Sequence, residues 1–304
     1  MKTSLWRTDM QKKTGFIFLI VCCLILLGNL DAGLAAFREG KDLISLHYDH
    51  AADRDDGQSA AADRTILQSE FGVNWIKAHV IAVSGAYGIN ADKFVSESNT
   101  VMNAVWNECG GWIAADENWK LAVSLMTDRW IDALKAGGHV WVKEGGQSDI
   151  TAEVVSRIHS RLPGIDTTAR IHVVQHGLWN EDHTTPSALS FVKRHTDYIK
   201  ISNANEYLKY GPREKAAAKA AFAEAAMNHP DFGAAWRAAF AYLDPSVKMD
   251  FSDTGELMYI LGLGEMNIEA FKERYLFRKN NRDGNPSSNT EANDNRSTVN
   301  DTTN

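Results

Sequence analysis

The chain has 304 residues and a formal net charge of −7. That balance excludes a protein built to grip a phosphate backbone, so nucleic acid is not an expected partner. Nine Trp read first as core or helix packing, with stacking on sugar rings as the alternative.

In chain order, Lys2, Arg7, Lys12 and Lys13 precede an apolar run from Gly15 to Gly28. The run has signal-peptide length and is short for a membrane span. Small residues at Gly33, Ala35 and Ala36 place cleavage near Ala35 or Ala36, with an uncleaved anchor as the alternative. Residues 1–35 are therefore expected to be a signal peptide. The mature protein is expected to be secreted or periplasmic, with no stable membrane insertion. Removal of Cys22 and Cys23 with that segment leaves Cys109, so neither an intramolecular disulfide nor a thiolate metal site is expected.

Residues 36–278, about 240 in number, suffice for one large domain with a buried core. Short β-rich runs at Asp42–Tyr48, His79–Ser84, His139–Lys143, Ile171–Gln175 and Tyr198–Ser202 alternate with helical patterns. The predicted helices are Ser59–Glu70, Ala91–Cys109, Glu117–Lys135, Asp149–Arg161, Ser187–Arg194, Arg213–Met227, Phe232–Tyr242, Thr254–Leu261 and Asn267–Tyr275. Over Ala91–Cys109 the residues Phe94, Val101, Met102, Val105, Trp106 and Cys109 recur at helical spacing. Strands alternating with helices predict an α/β fold, a mainly parallel sheet covered by helices on both faces. Residues 279–304 are Asn, Ser, Thr, Asp and Arg with almost nothing apolar, so a disordered tail is expected there. Asn295 and Asn300 open formal glycosylation sequons.

In open parallel sheets, ligands bind at the carboxyl ends of strands. The segments to inspect are Asp49 onward, Gly85–Asn90, Glu144–Asp149, His176–Asn180 and Asn203–Asn205. The first of these carries Asp49, Asp53, Asp55 and Asp56 within eight residues. Such carboxylates repel one another unless a cation, an Arg or protonation compensates. Hard oxygen donors in this number suit Ca²⁺ or Mg²⁺, and Ca²⁺ tolerates irregular geometry better. Ser59 is the candidate helix N-cap. A solvated acidic loop at a helix N-terminus is the plainer alternative. A transition-metal site using His47 or His50 with Asp49 is another, although strand alternation places His47 and Asp49 on the face opposite Tyr48 and His50.

The spacing Asp49, Asp53, Asp55, Asp56, Ser59 resembles the first loop of the nucleoside hydrolase-like superfamily, closest to a secreted branch described as cellulose-binding. His79–Asn90, Thr100–Val105, Val140–Asp149, Trp179-Asn180 with Pro186–Val192, and Phe251–Leu257 resemble later family segments in the same order. The resemblance implies a Rossmann-type fold with one Ca²⁺ held by Asp49, Asp56, Asp253 and the carbonyl of Ser148. It implies that Asp49 is the catalytic base, taking a proton from the water that attacks an anomeric carbon. Asp55, Asn90 and Asn180 would contact the substrate. Asp53 competes with Asp49 in an alternative alignment. His176 and His183 are candidate proton donors to a leaving group, with exposed loop histidines as the favoured alternative. Nucleoside-cleaving members carry an Asp where Ala51 falls and commonly a Glu where Leu178 stands. The expected function is an exported Ca²⁺-dependent hydrolase of N-glycosidic or other glycosidic bonds, acting on a nucleoside or small glycosyl compound. The runner-up is a non-catalytic carbohydrate-binding protein on the same fold.

Overall fold

The computed structural model describes residues 35–51, 54–211 and 215–277. The signal-peptide segment up to residue 34, Asp53, and the expected tail lie outside the described residues. Among the described residues no helix is long and apolar enough to cross a membrane.

Six parallel strands make the central sheet: β1 Leu43–Tyr48, β2 Val80–Ser84, β3 Ile113–Ala114, β4 Val140–Gly145, β5 Ile171–Gln175 and β6 Asp197–Lys200. Their order is β3-β2-β1-β4-β5-β6, the order of a doubly wound Rossmann-type sheet. The predicted α/β class is therefore present. β1 and β4 are buried along their full lengths, as strands covered on both faces must be. The register pairs Tyr48 with both Ser84 and Gly145, so the loops after β1, β2 and β4 emerge side by side.

Helices cover both faces. One is packed by α4 Trp119–Lys135, α5 Asp149–Arg161 and α8 Pro186–His195, with Trp130, Val142, Val154 and Val173 in its core. The other is packed by α1 Asp56–Glu70, α3 Ser98–Trp106, α9 Ala216–Met227, α10 Gly233–Tyr242 and α11 Thr254–Ile260. Here Ile44, Leu46, Ala60, Ala61, Trp106 and Trp236 form the core. The run Ala60–Ala62 keeps α1 thin enough to lie between the sheet, α3 and α10, and all three alanines are fully buried. Trp106, Trp130, Trp141 and Trp236 bear out the packing reading of tryptophan, each at most 2% exposed. Truncating such a ring to Ala costs about 3–5 kcal/mol.

Several elements depart from the predicted ones. α1 starts at Asp56 rather than Ser59, because the amides of Gln58 and Ser59 already bond to the Asp55 carbonyl. Asp56 then sits in the first turn, where a negative charge is favoured. The predicted helix over Ala91–Cys109 splits into a 3-10 turn Ala91–Lys93, then α3, then a 3-10 turn Asn107–Cys109. A bridge between Ala51 and Phe94, and the bond from Val95 N to His50 O, hold the backbone extended between them. The two-residue β3, the short helix α2 Val73–His79, and the antiparallel pair β7 Lys209–Tyr210 with β8 Met249–Asp250 were not predicted. Two further short helices, α6 Thr167–Arg170 and α7 Trp179–His183, flank β5, and α12 Ile268–Phe271 runs into a π turn ending at Leu276.

Candidate functional site

Strand order reverses between β1 and β4, and an open cleft of about 390 Å³ lies at their carboxyl ends. Asp49 enters it from β1, Gly145 from β4, His176 to Leu178 from β5, and Trp179 and Asn180 from α7. Asn203 and Asn205 follow β6, while Ser252 and Asp253 precede α11. Asp55, Asp56, Lys209 and Lys248 complete the wall. The loop after β2 does not line it.

Asp49 Oδ1 accepts from Ala51 N at 2.9 Å, and Oδ2 accepts from the Gln147 amide. Asp56 Oδ2 accepts from His50 N at 2.6 Å. That bond needs His50 in a left-handed conformation, φ +48°, a strained setting of the kind that persists at functional sites. Asp56 Oδ1 is buried without any hydrogen-bond donor. Burial pushes the Asp49 carboxyl up to about 6, against the hydrogen bonds it accepts and with the help of the Asp253 charge. Burial, then Asp49 and Asp253, push Asp56 well above the usual carboxylate range. Burial and carboxylate repulsion thus favour the protonated forms of Asp49 and Asp56.

One cation lies beneath them. Lys143 Nζ is fully buried, 3.5 Å from Asp63 Oδ2 and 4.0 Å above the Tyr48 ring. Burial alone would favour neutral Lys143, but Asp63, Asp253, Glu256 and Asp56 outweigh it and keep the ammonium charged. Tyr48 donates to the other side of the pair, its hydroxyl 2.6 Å from Asp63 Oδ2. His176 is held by Glu256, whose Oε1 accepts from its backbone N at 2.9 Å and lies 3.1 Å from Nδ1. Burial opposes a charge on His176, but Glu256 and Asp253 raise its pKa. Its Nε2 lies 3.7 Å from Asp253 Oδ1.

The structure brings Asp49, Asp55, Asp56, Asp253, His176 and Asn180 to one cleft. Asp55 is already paired with Lys248 at 2.7 Å. Ser148 does not line the cleft. Its carbonyl accepts from Ala152 N at 2.9 Å in the first turn of α5, and its N donates to Thr184. Asn90 is buried away from the cleft, its Oδ1 3.4 Å from Gly88 N. His183 also stands outside, stacked on Trp179 at 3.7 Å with Nδ1 near the Trp179 carbonyl. His47 is directed to the other face of the sheet, its ring between Ser45 Oγ and Glu144 Oε1 at 2.9 Å each. Both its nitrogens are thereby used, which removes it from any metal site.

Gln147, Lys143, Glu256, Lys209 and Lys248 were not singled out by sequence reasoning. Lys143 had a signal, a charged residue inside the apolar strand Val-Trp-Val-Lys, where parallel strands rarely carry one. The others depend on contacts between distant segments.

Oxygen donors of this kind suit a hard divalent cation, and the donor-free Asp56 Oδ1 fits a ligand atom. Among the described residues, though, no group of three or more His, Cys, Asp or Glu forms a ready-made metal cage. Asp49, Asp56 and Asp253 share the cleft but do not form such a group. Comparison with protein-family models, with curated proteins and with solved structures gives no match, so the nucleoside hydrolase-like resemblance stands on the residues alone.

Proposed function

We propose that this cleft is the active site of an exported, Ca²⁺-dependent hydrolase of glycosidic bonds, acting on a nucleoside or small glycosyl compound. The observation that supports it best is the meeting of Asp49, Asp56 and Asp253 at the carboxyl ends of β1 and β4, with Asp56 Oδ1 left without a donor. Asp49, Asp56 and Asp253 would hold the ion, which when bound orients a sugar diol and polarises water. Asp49 takes the proton of the attacking water as the water oxygen bonds to the anomeric carbon. The bond to the leaving group breaks with its electron pair, and solvent returns a proton to that group. Asn180 and Asn205 supply amides for sugar hydroxyls along the wall. Leu178 and Trp179, 66% and 56% exposed, form an apolar lip against which a flat leaving group packs. Export rests on the basic residues and apolar run of the first 28 residues.

A carbohydrate-binding protein without turnover is the second reading. It is favoured by one observation, that both Asp49 oxygens are already hydrogen-bonded. The test is release of free sugar from a panel of nucleosides and aryl glycosides, with Ca²⁺ and with EDTA. EDTA-sensitive release supports hydrolysis. Ligand binding with no release across the panel replaces it with the second reading.

A further inference from the structure

We infer that Gln147 is a positioning residue that couples Asp49 to Asn180, so that the two halves of the cleft bind their ligands cooperatively. The inference rests on the reading of the cleft given above.

Gln147 is fully buried, and its side-chain amide joins three loops at once. Nε2 donates to Asp49 Oδ2 in the loop after β1 and, at 3.1 Å, to Asn180 Oδ1 in α7. Oε1 accepts from Gly88 N at 3.1 Å in the loop after β2. The backbone N of Gln147 donates to Ala86 O at 2.8 Å, which fixes the stem. The orientation of the amide has only one solution. Flipped, it would set its oxygen against two acceptor oxygens and its NH₂ against a backbone N–H.

The two glycines before it make this approach feasible. A Cβ on Gly146 would lie 2.4 Å from Ala86 O and 3.2 Å from Asp49 Cβ, and one on Gly145 would lie 2.8 Å from His47 O. Side chains at either position would hold the β4 loop away from β1 and β2. Gly-Gly-Gln thus places one amide where both of its protons are used.

Two consequences follow. Asp49 Oδ2 is held in one direction by a donor that cannot turn away. Asn180, with Oδ1 engaged, directs its NH₂ as the group left for a ligand, so a ligand oxygen accepts there. A shift of Asn180 on binding is passed to Asp49 through a single rigid amide.

The test uses the full chain with glutamine side chains ¹⁵N-labelled, and Ca²⁺ alone as the probe. We expect one glutamine NH₂ pair with both protons slow to exchange, absent in Gln147→Met, and moved by Asp49→Asn and by Asn180→Ala. In calorimetric titration, Asn180→Ala should weaken Ca²⁺ binding about tenfold, although Asn180 is no ligand, and should have no further effect in the Gln147→Met background. A merely structural Gln147 would leave the two effects multiplicative, and that result overturns the coupling. A pair that exchanges like exposed glutamine, or responds to only one of the two substitutions, overturns the clasp itself. If Gln147→Met fails to fold, Gln147→Asn, which withdraws the amide by one methylene, takes its place in both measurements. Should the parent bind no Ca²⁺, the cation reading of the cleft fails, and the exchange measurement alone decides on Gln147.

Discussion

Asp42 precedes β1 and Asp49 follows it, and both carboxylates are buried, at 0% and 6% exposure. Around Asp42 donors are plentiful. Arg38 Nη2 reaches Oδ1 at 2.7 Å, His139 N reaches it at 2.8 Å, and Arg38 N and Trp141 Nε1 reach Oδ2 at 2.9 and 3.2 Å. Burial would raise its pKa, but these hydrogen bonds outweigh burial and hold it below the usual carboxylate range. At the other end of the same strand, Asp49 is pushed up and shares its surroundings with Asp56 and Asp253. The contrast separates two uses of a buried acid. One ties the amino edge of the sheet together, and the other crowds carboxyl groups at the carboxyl edge, where open parallel sheets bind their ligands.

The largest expected effect breaks the carboxyl-edge side of this contrast. Asp49→Asn keeps the shape of the side chain and one oxygen but cannot take a proton from water near neutral pH. Turnover should fall by about 10²–10⁴-fold, read as the initial rate of sugar release on the best substrate of the panel. The metal-free variant should be at least as stable as the parent in urea, because a buried carboxylate that repels Asp56 and Asp253 is gone. A clear loss of stability would place Asp49 with Asp42 as a structural acid.

Asp42→Ala tests the other side. It strands the part-buried His139 N–H and the buried Trp141 indole N–H, at a cost on the order of 3 kcal/mol, measured by urea denaturation near neutral pH. The sign with pH follows from the depressed pKa. The stabilisation is present above the unfolded-state value, about pH 4, and is lost as pH falls through the lower folded-state value. The gap between parent and variant should therefore narrow only in that acid range. A gap that closes near pH 7 contradicts the assignment.

How much of this contrast is legible before folding differs between its two ends. Alternating strand and helix periods along the chain give the sheet and the helices on both faces, because those patterns are local. The acidic run after β1 stands out as a run, so Asp49 and Asp56 are legible as a pair. Asp253 enters only through a family resemblance, since nearly two hundred residues separate it from them. Ser148 and Asn90 show the limit. Each lies in a segment that follows a strand, yet helix hydrogen bonding claims the Ser148 carbonyl and burial removes Asn90. Gln147 and Lys143 take their meaning from partners on other loops and helices, which no local pattern encodes. The two-residue β3 and the β7–β8 pair are too short for any periodicity.

The smallest expected effect concerns the rim. Lys248 pairs with Asp55 at 2.7 Å and lies 3.3 Å from Asp250, with the Lys248 and Asp55 side chains 24% and 19% exposed. Lys248→Met should change stability by at most about 1 kcal/mol, checked by the same urea titration. A larger loss would mean that the rim, too, is a structural network like the one around Asp42.

The most direct measurement of the central claim is calorimetric titration of the full chain with Ca²⁺, paired with melting curves. One equivalent should bind, and at a hundredfold excess over its dissociation constant it should add about 2.7 kcal/mol of stability. Binding should be lost in Asp56→Asn and Asp253→Asn and retained in Asp42→Asn. No heat and no melting shift in the parent, or binding that survives both carboxyl-edge substitutions, would contradict a cation site at this end of the sheet.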